Sequence, residues 1–218
     1  MNVDKLIASY PKLHHMAERD AWPSIRSRGL LSTVALLEKC GVVGQRRFEL
    51  ESEHRPEKVL IGEGSEQVVL RDQKPMAPVR LATALLNGVT TRQWYEAINS
   101  KVFFWVDELR LHGLLNARSY KKLEHDVLVL DTASFVAAHE AEIWLCHMNS
   151  GNTFPFAHAR DLTAFKRIAD YPVASRGDPV KKVVELLVDH HVLDIADHVI
   201  EVRRMQSKEF LRPLSLKE

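Results

Sequence analysis

Leu13-His14-His15-Met16-Ala17, followed by the segment from Ala21 to Arg28 and by Gly29-Leu30-Leu31-Ser32, is the stretch that decides how this chain is read. Its spacing predicts a brief strand carrying a histidine, a polar turn, one helix over 21–28 and a return closed by glycine. Pro23 falls in a first helical turn, which tolerates a missing N–H, and Gly29 falls where the residue after a helix takes positive φ. Alternation puts Leu13 and His15 on one face of the strand and His14 and Met16 on the other. His15 therefore stands beside an apolar neighbour, at the mouth of whatever the helix covers. A lone histidine so placed is either a satisfied structural residue or a functional one, and this stretch alone leaves both open.

The totals narrow the classes. At 218 residues the chain is long enough to bury a sizeable core. Thirty Lys and Arg against 29 Asp and Glu give a formal charge of +1, so there is no broad attraction to nucleic acid, although a local basic patch is compatible with that total. Cys40 and Cys146 are far apart and in no C-x-x-C arrangement, which argues against a zinc ribbon or a disulfide framework. No apolar run reaches the roughly 20 residues that span a bilayer, and the first residues lack the apolar core of a signal peptide. A cytoplasmic protein that does not enter membranes is the expectation.

Along the chain, residues 33–40 read as a helix capped by Ser32 and ended by Gly41, and residues 42–65 as charged and poorly periodic. Lys58–Ile61 and Gln67–Arg71 suggest a hairpin. Helices are expected at 79–86, 91–99, 108–117, 132–139 and 161–169. Strands are expected at 101–106, 126–130, 142–147, 183–188 and 198–204. Ala174–Pro179 reads as a mobile loop, and residues 207–218 as a polar, frayed tail. No repeat or linker interrupts this order, so one mixed α+β domain over residues 1–206 is the economical reading.

Val183-Val184-Glu185-Leu186-Leu187-Val188 carries the second decisive residue. A carboxylate between aliphatic residues on a strand face is costly unless it meets water or a partner. Glu185 is thus either a solvated residue on an edge strand or a poised carboxylate in a cleft.

With Lys101-Val102-Phe103-Phe104-Trp105-Val106 between them, these blocks resemble the ADP-ribosyltransferase fold in its His–aromatic–Glu branch. That branch includes the poly(ADP-ribose) polymerases, the RNA 2′-phosphotransferases and the DNA-modifying bacterial toxins. The opening from Leu13 to Ser32 is similar to the family's histidine-bearing opening, Val102–Trp105 with its trailing helix to the aromatic segment, and Val184–Val188 with Ile195 and Val199–Val202 to the closing glutamate strand. The chain is also similar to an uncharacterised bacterial family.

The resemblance implies a split sheet with flanking helices, NAD as substrate and transfer of ADP-ribose to an acceptor that is protein, nucleic acid or small molecule. It implies that His15 bonds the adenosine ribose, that the backbone of Met16 holds the nicotinamide carboxamide and that Phe103 stacks on nicotinamide. Glu185 would sit on the nicotinamide ribose and stabilise the charge that develops as the glycosidic bond breaks. Arg71, Arg118 and Asn149 fall near the expected cleft, each able to grip a pyrophosphate or to make a local structural contact. A toxin or defence role would bring an antitoxin or an ADP-ribose hydrolase as partner. The chain departs from the family in carrying Phe103 where tyrosine is usual, and Met16 where glycine is frequent.

Competing chemistries are weaker. His191, Asp194 and His198 lie close in sequence, as do His14, His15 and Glu18, but without an H-E-x-x-H pattern no metal is expected. No G-x-S-x-G occurs, and Cys146 sits on an apolar strand where an inert thiol is the natural reading. The rival from another class is a degenerate member that binds a nucleotide or nucleic acid without turnover, since fold alone does not license activity.

Overall fold

The structure, a computed structural model, describes residues 1–217. In chain order, α1 (Val3–Ser9) leads into β1 (Lys12–Glu18), α2 (Trp22–Arg28), the short β2 (Leu30–Leu31), α3 (Thr33–Lys39) and α4 (Gly44–Ser52). The hairpin β3 (Val59–Ile61) and β4 (Val68–Leu70) precedes α5 (Pro78–Ala84), α6 (Thr91–Asn99), β5 (Lys101–Trp105) and α7 (Glu108–Leu115). Then come β6 (Glu124–Asp131), α8 (Thr132–His139), β7 (Ile143–Cys146) and β8 (Phe165–Arg167). The chain closes with β9 (Glu185–Asp189), β10 (His191–Val192), α9 (Ile195–His198), β11 (Val199–Gln206) and β12 (Glu209–Leu214).

Local chemistry starts these helices where the sequence marks them. Ser32 accepts from the Ala35 N–H, Asp107 from Leu109 and Asp131 from Ser134, while Thr90 and Gln93 form a reciprocal capping box. Eight strands form one antiparallel sheet in the order β12-β11-β6-β1-β5-β9-β7-β8. Along β5, Val102 and Phe104 enter a core with α1, α2, α8 and α9, whereas Phe103 joins Trp94, Tyr95 and Ile98 of α6 on the other side. The result is an α+β domain with helices on both faces of its sheet. Among the described residues, no helix is long and apolar enough to cross a membrane.

The sheet is not evenly zipped. β1 pairs with β6 along its whole length, from Lys12↔Asp131 to Glu18↔His125, but meets β5 at His14↔Trp105 alone. Beyond that pair the two strands diverge.

Three expectations are corrected. Residues 161–169 are not a helix: a 3₁₀ turn at Leu162–Ala164 gives way to β8, because Phe165 pairs with Cys146 and the Arg167 guanidinium lies 3.7 Å from the centre of the Trp144 ring. Residues 42–65, read as aperiodic, contain α4, which is held by the Arg47–Glu51 and Arg47–Glu38 ion pairs and buries Leu50. The polar tail is not frayed, since β12 pairs with β11 after a turn at Ser207. Its charged Glu209 and Arg212 and its Pro213 suit an edge strand. Glu218, the last residue of that tail, lies outside the described residues. The segment 174–179 is a loop, as expected, spanned by a Val173↔Pro179 bridge and an Ala174-to-Asp178 backbone bond.

Gly29 joins α2 to β2 at φ 84° and ψ 169°, a region open essentially to glycine only. A Cβ there would lie 2.7 Å from the Leu193 Cα, whereas one at Gly41, also at positive φ, would meet nothing within 4 Å. Urea denaturation should therefore show Gly29→Ala losing roughly 3 kcal/mol and Gly41→Ala about 1 kcal/mol. Equal losses would contradict this account of the α2–β2 turn.

Candidate functional site

Where β1 and β5 part, a cleft of about 1970 Å³ opens, more than the roughly 300–1,000 Å³ usual for a small ligand. It is lined by the ends of both strands, the β3–β4 hairpin, the loop after β4, the loop after β7 and the first residue of β9. His15, Met16, Phe103, Arg71, Arg118, Asn149 and Glu185 all line it. Among the lining residues eleven are Arg or Lys and six are Asp or Glu, so a chain of almost no net charge carries a basic cleft.

His15 sits at the split. Alternation puts its side chain on the Leu13 and Ala17 face, and there its Nδ1 reaches the Phe103 carbonyl oxygen at 2.8 Å. The Phe104 ring packs 5.8 Å away. Burial pushes the imidazole down to about 4, against the hydrogen bond to Phe103 and with a further push from Arg71, so the ring is neutral near pH 7. A carbonyl only accepts, so the proton is on Nδ1 and Nε2 keeps a free lone pair. His15 can thus accept a hydrogen bond from a ligand hydroxyl.

Glu185 lies at the floor of the cleft, 3% exposed. Its carboxylate accepts from the Ser150 N–H at 3.1 Å and the Ser150 hydroxyl at 2.7 Å. Burial pushes its pKa up to about 7, while the Ser150 bonds and the Arg160 charge pull the other way. Ser150 is itself fixed, because its carbonyl accepts from Arg160 Nη1 at 2.9 Å and from the Trp94 indole at 3.3 Å. Arg160, 2% exposed, also donates to the carbonyls of Asn152 and His158. Neither Ser150 nor Arg160 stands out in the sequence. A polar loop following a buried strand is a signal for Ser150, but nothing local marks Arg160.

The remaining residues divide. Arg118 is exposed and makes no ion pair or hydrogen bond among the described residues, which leaves its guanidinium available to an anion. Arg71 is committed elsewhere: Nη1 donates to the Met16 carbonyl at 2.9 Å, and the guanidinium sits 4.8 Å from the centre of the Tyr120 ring, whose hydroxyl donates to Asp72. Arg71 thus makes the local structural contact that was one of its two readings and forms a strut of the cleft wall, with the Met16 carbonyl as its acceptor. Asn149 likewise spends its Oδ1 on the Gly151 N–H, in a turn that shapes the loop. Phe103 is half-buried with one side packed on the α6 core. Cys146 pairs across the sheet with Glu185, and burial, with a smaller push from that carboxylate, drives its thiol up to about 12.

Glu185 gives a stability signature. A carboxyl raised from 4.5 to about 7 on folding binds its proton more tightly in the native state, so stability is lost as pH climbs through that window. Glu185→Gln removes this loss while still accepting from Ser150. Relative to the variant, the wild type should lose roughly 3 kcal/mol between pH 4.5 and 7.5 in urea titrations. The depressed histidines act oppositely in both proteins and drop out of the difference. A pH-independent difference would contradict the burial of this carboxyl. Arg160→Ala, which strips partners from buried carbonyls, should cost roughly 3 kcal/mol below pH 5 and more above pH 7, where the Arg160 charge also favours the ionised Glu185.

No curated protein shows significant similarity to the chain. Residues 11–199 match a family described as a family of unknown function (DUF7002). That match covers most of the chain, so the split-sheet domain and its basic cleft belong to a member of the DUF7002 family.

Proposed function

We propose that this protein is an NAD-dependent ADP-ribosyltransferase built on an ADP-ribosyltransferase-like split sheet. The observation that carries the reading is the meeting of His15, Phe103 and Glu185, from three distant stretches of sequence, in one basic cleft. Such a cleft suits a dianionic dinucleotide. Arg118, unpaired among the described residues, is the guanidinium best able to fork onto the pyrophosphate. The His15 Nε2 lone pair accepts from an adenosine-ribose hydroxyl. The face of Phe103 stacks on nicotinamide, and Met16 and Arg71 form the wall beside it.

Glu185 accepts from the 2′-hydroxyl of the nicotinamide ribose and stabilises the oxocarbenium-like centre as the C–N bond breaks, the bonding pair leaving with nicotinamide. The acceptor then supplies the pair for the new bond to the anomeric carbon and loses a proton to water. With its pKa near 7, Glu185 is ionised in a growing fraction of molecules above neutrality. The free thiols Cys40 and Cys146 suit a cytoplasmic setting, where an antitoxin or an ADP-ribose hydrolase would be the natural protein partner.

Purified protein incubated with NAD should release nicotinamide, at a rate that rises as pH passes through about 7. Glu185→Gln should lower that rate on the order of 100-fold with folding intact, and His15→Ala should act mainly on KM. Equal rates in all three proteins would sink the assignment. NAD binding without release would favour the rival reading of a catalytically inactive nucleotide-binding module.

A further inference from the structure

Outside the cleft, one cluster of side chains is arranged for a purpose the fold alone does not require. His139 at the end of α8, Asp194 before α9 and His198 at the end of α9 bring one imidazole nitrogen, one carboxylate oxygen and another imidazole nitrogen within 4.8 Å of one another. None of the three lines the cleft. The Nε2 of His139 is 2.9 Å from one Asp194 oxygen, and the Nε2 of His198 is 3.3 Å from the other. Asp194 occupies the N-cap position of α9 yet makes no side-chain cap, its oxygens being turned to the two rings instead.

The outer partners fix what the inner atoms offer. The Nδ1 of His139 faces the Glu142 carboxylate at 3.4 Å, and a carboxylate accepts, so that nitrogen carries the proton. The Nδ1 of His198 is 3.2 Å from the Ser134 hydroxyl, whose own proton goes to the Asp131 carbonyl, so Ser134 accepts and His198 also carries its proton on Nδ1. Both Nε2 atoms and the Asp194 carboxylate converge on one point, where a single cation satisfies all three donors at once; the two ring centroids are 5.5 Å apart. Phe135, fully buried, packs against both rings and holds their orientation.

We propose that His139, Asp194 and His198 bind a divalent transition-metal ion of the Zn²⁺ class. A ligand–metal distance of about 2.0–2.1 Å corresponds to tetrahedral edges of about 3.3 Å, so the three donor atoms, within 4.8 Å of one another, need only small side-chain rotations to close on one ion. A set of two imidazoles and one carboxylate suits Zn²⁺, Co²⁺ or Ni²⁺ rather than Ca²⁺ or Mg²⁺. Glu142 and Ser134 orient the ligand rings from outside, as partners of metal-bound histidines do. The fourth position falls to water on the exposed Asp194 side. The ion ties the end of α8 to the turn that leads into β11, and so braces the sheet away from the cleft.

The test uses the full chain, stripped with a chelator and titrated with Zn²⁺ against a chromophoric competitor, with Co²⁺ as spectroscopic probe. One equivalent should bind, Co²⁺ should give the d–d bands of a four- or five-coordinate site, and Zn²⁺ should raise the melting temperature. Asp194→Asn and His139→Gln should each weaken binding at least 10-fold, and His191→Gln should leave it unchanged. His139 and Asp194 are the more exposed ligands, so the test does not depend on the buried His198 variant folding, and circular dichroism checks each protein. Absence of stoichiometric binding, or binding that survives both substitutions in folded protein, would overturn the proposal.

Discussion

The carbonyl of Phe103 is met not by a strand N–H of β1 but by the ring of His15. This substitution is possible because β1 and β5 touch at His14↔Trp105 and then separate, while β1 stays paired to β6 throughout. A sheet zipped along its whole length would offer only side chains above and below its faces. The split exposes backbone and side chain together at mid-sheet, and His15 keeps the exposed carbonyl bonded at the cost of holding one tautomer. The cleft, its histidine and the wall built by Arg71 and Met16 all follow from that break.

The opposite side of the cleft depends on a different constraint, the burial of Glu185. A carboxylate with so little exposure would be expelled or protonated without donors, and Ser150 supplies two. Ser150 can do so because Arg160 draws three carbonyls of the loop after β7 around its guanidinium. The net result is a carboxyl balanced near neutrality, with burial and hydrogen bonding working against each other. The two sides of the cleft thus rest on two polar devices, each buried by the hydrophobic clusters that the sheet separates.

Much of the fold was legible because it is local. Ser32, Thr90, Asp107 and Asp131 start helices by capping chemistry written within four residues, and the aromatic and β-branched run at 102–105 is a strand wherever it sits. What escaped was decided by distant partners. Phe165–Arg167 has a helix-compatible sequence, but β7 offers an open edge and Trp144 a ring for Arg167. β12 is a mostly exposed edge strand bearing Glu209, Arg212 and Pro213, so nothing in its local pattern separates it from a free tail.

The site divides in the same way. Period-2 alternation marked His15 and Glu185 as unusual on their strands, which local pattern can do. For Arg71 and Asn149 the sequence leaves a ligand grip and a local contact both open, because their partners, the Met16 carbonyl and the Gly151 N–H, become visible only when the chain is folded. Arg160 and His139 carry no local mark at all, since each acts on groups brought to it by the tertiary structure.

A crystal structure with a non-hydrolysable NAD analogue tests the central claim most directly. The account predicts the nicotinamide end between β1 and β5 against Phe103, a ribose hydroxyl at the Nε2 of His15, and the nicotinamide ribose within hydrogen-bond distance of Glu185. A dinucleotide bound elsewhere on the chain, or a cleft that takes no NAD analogue at saturating concentration, would contradict it.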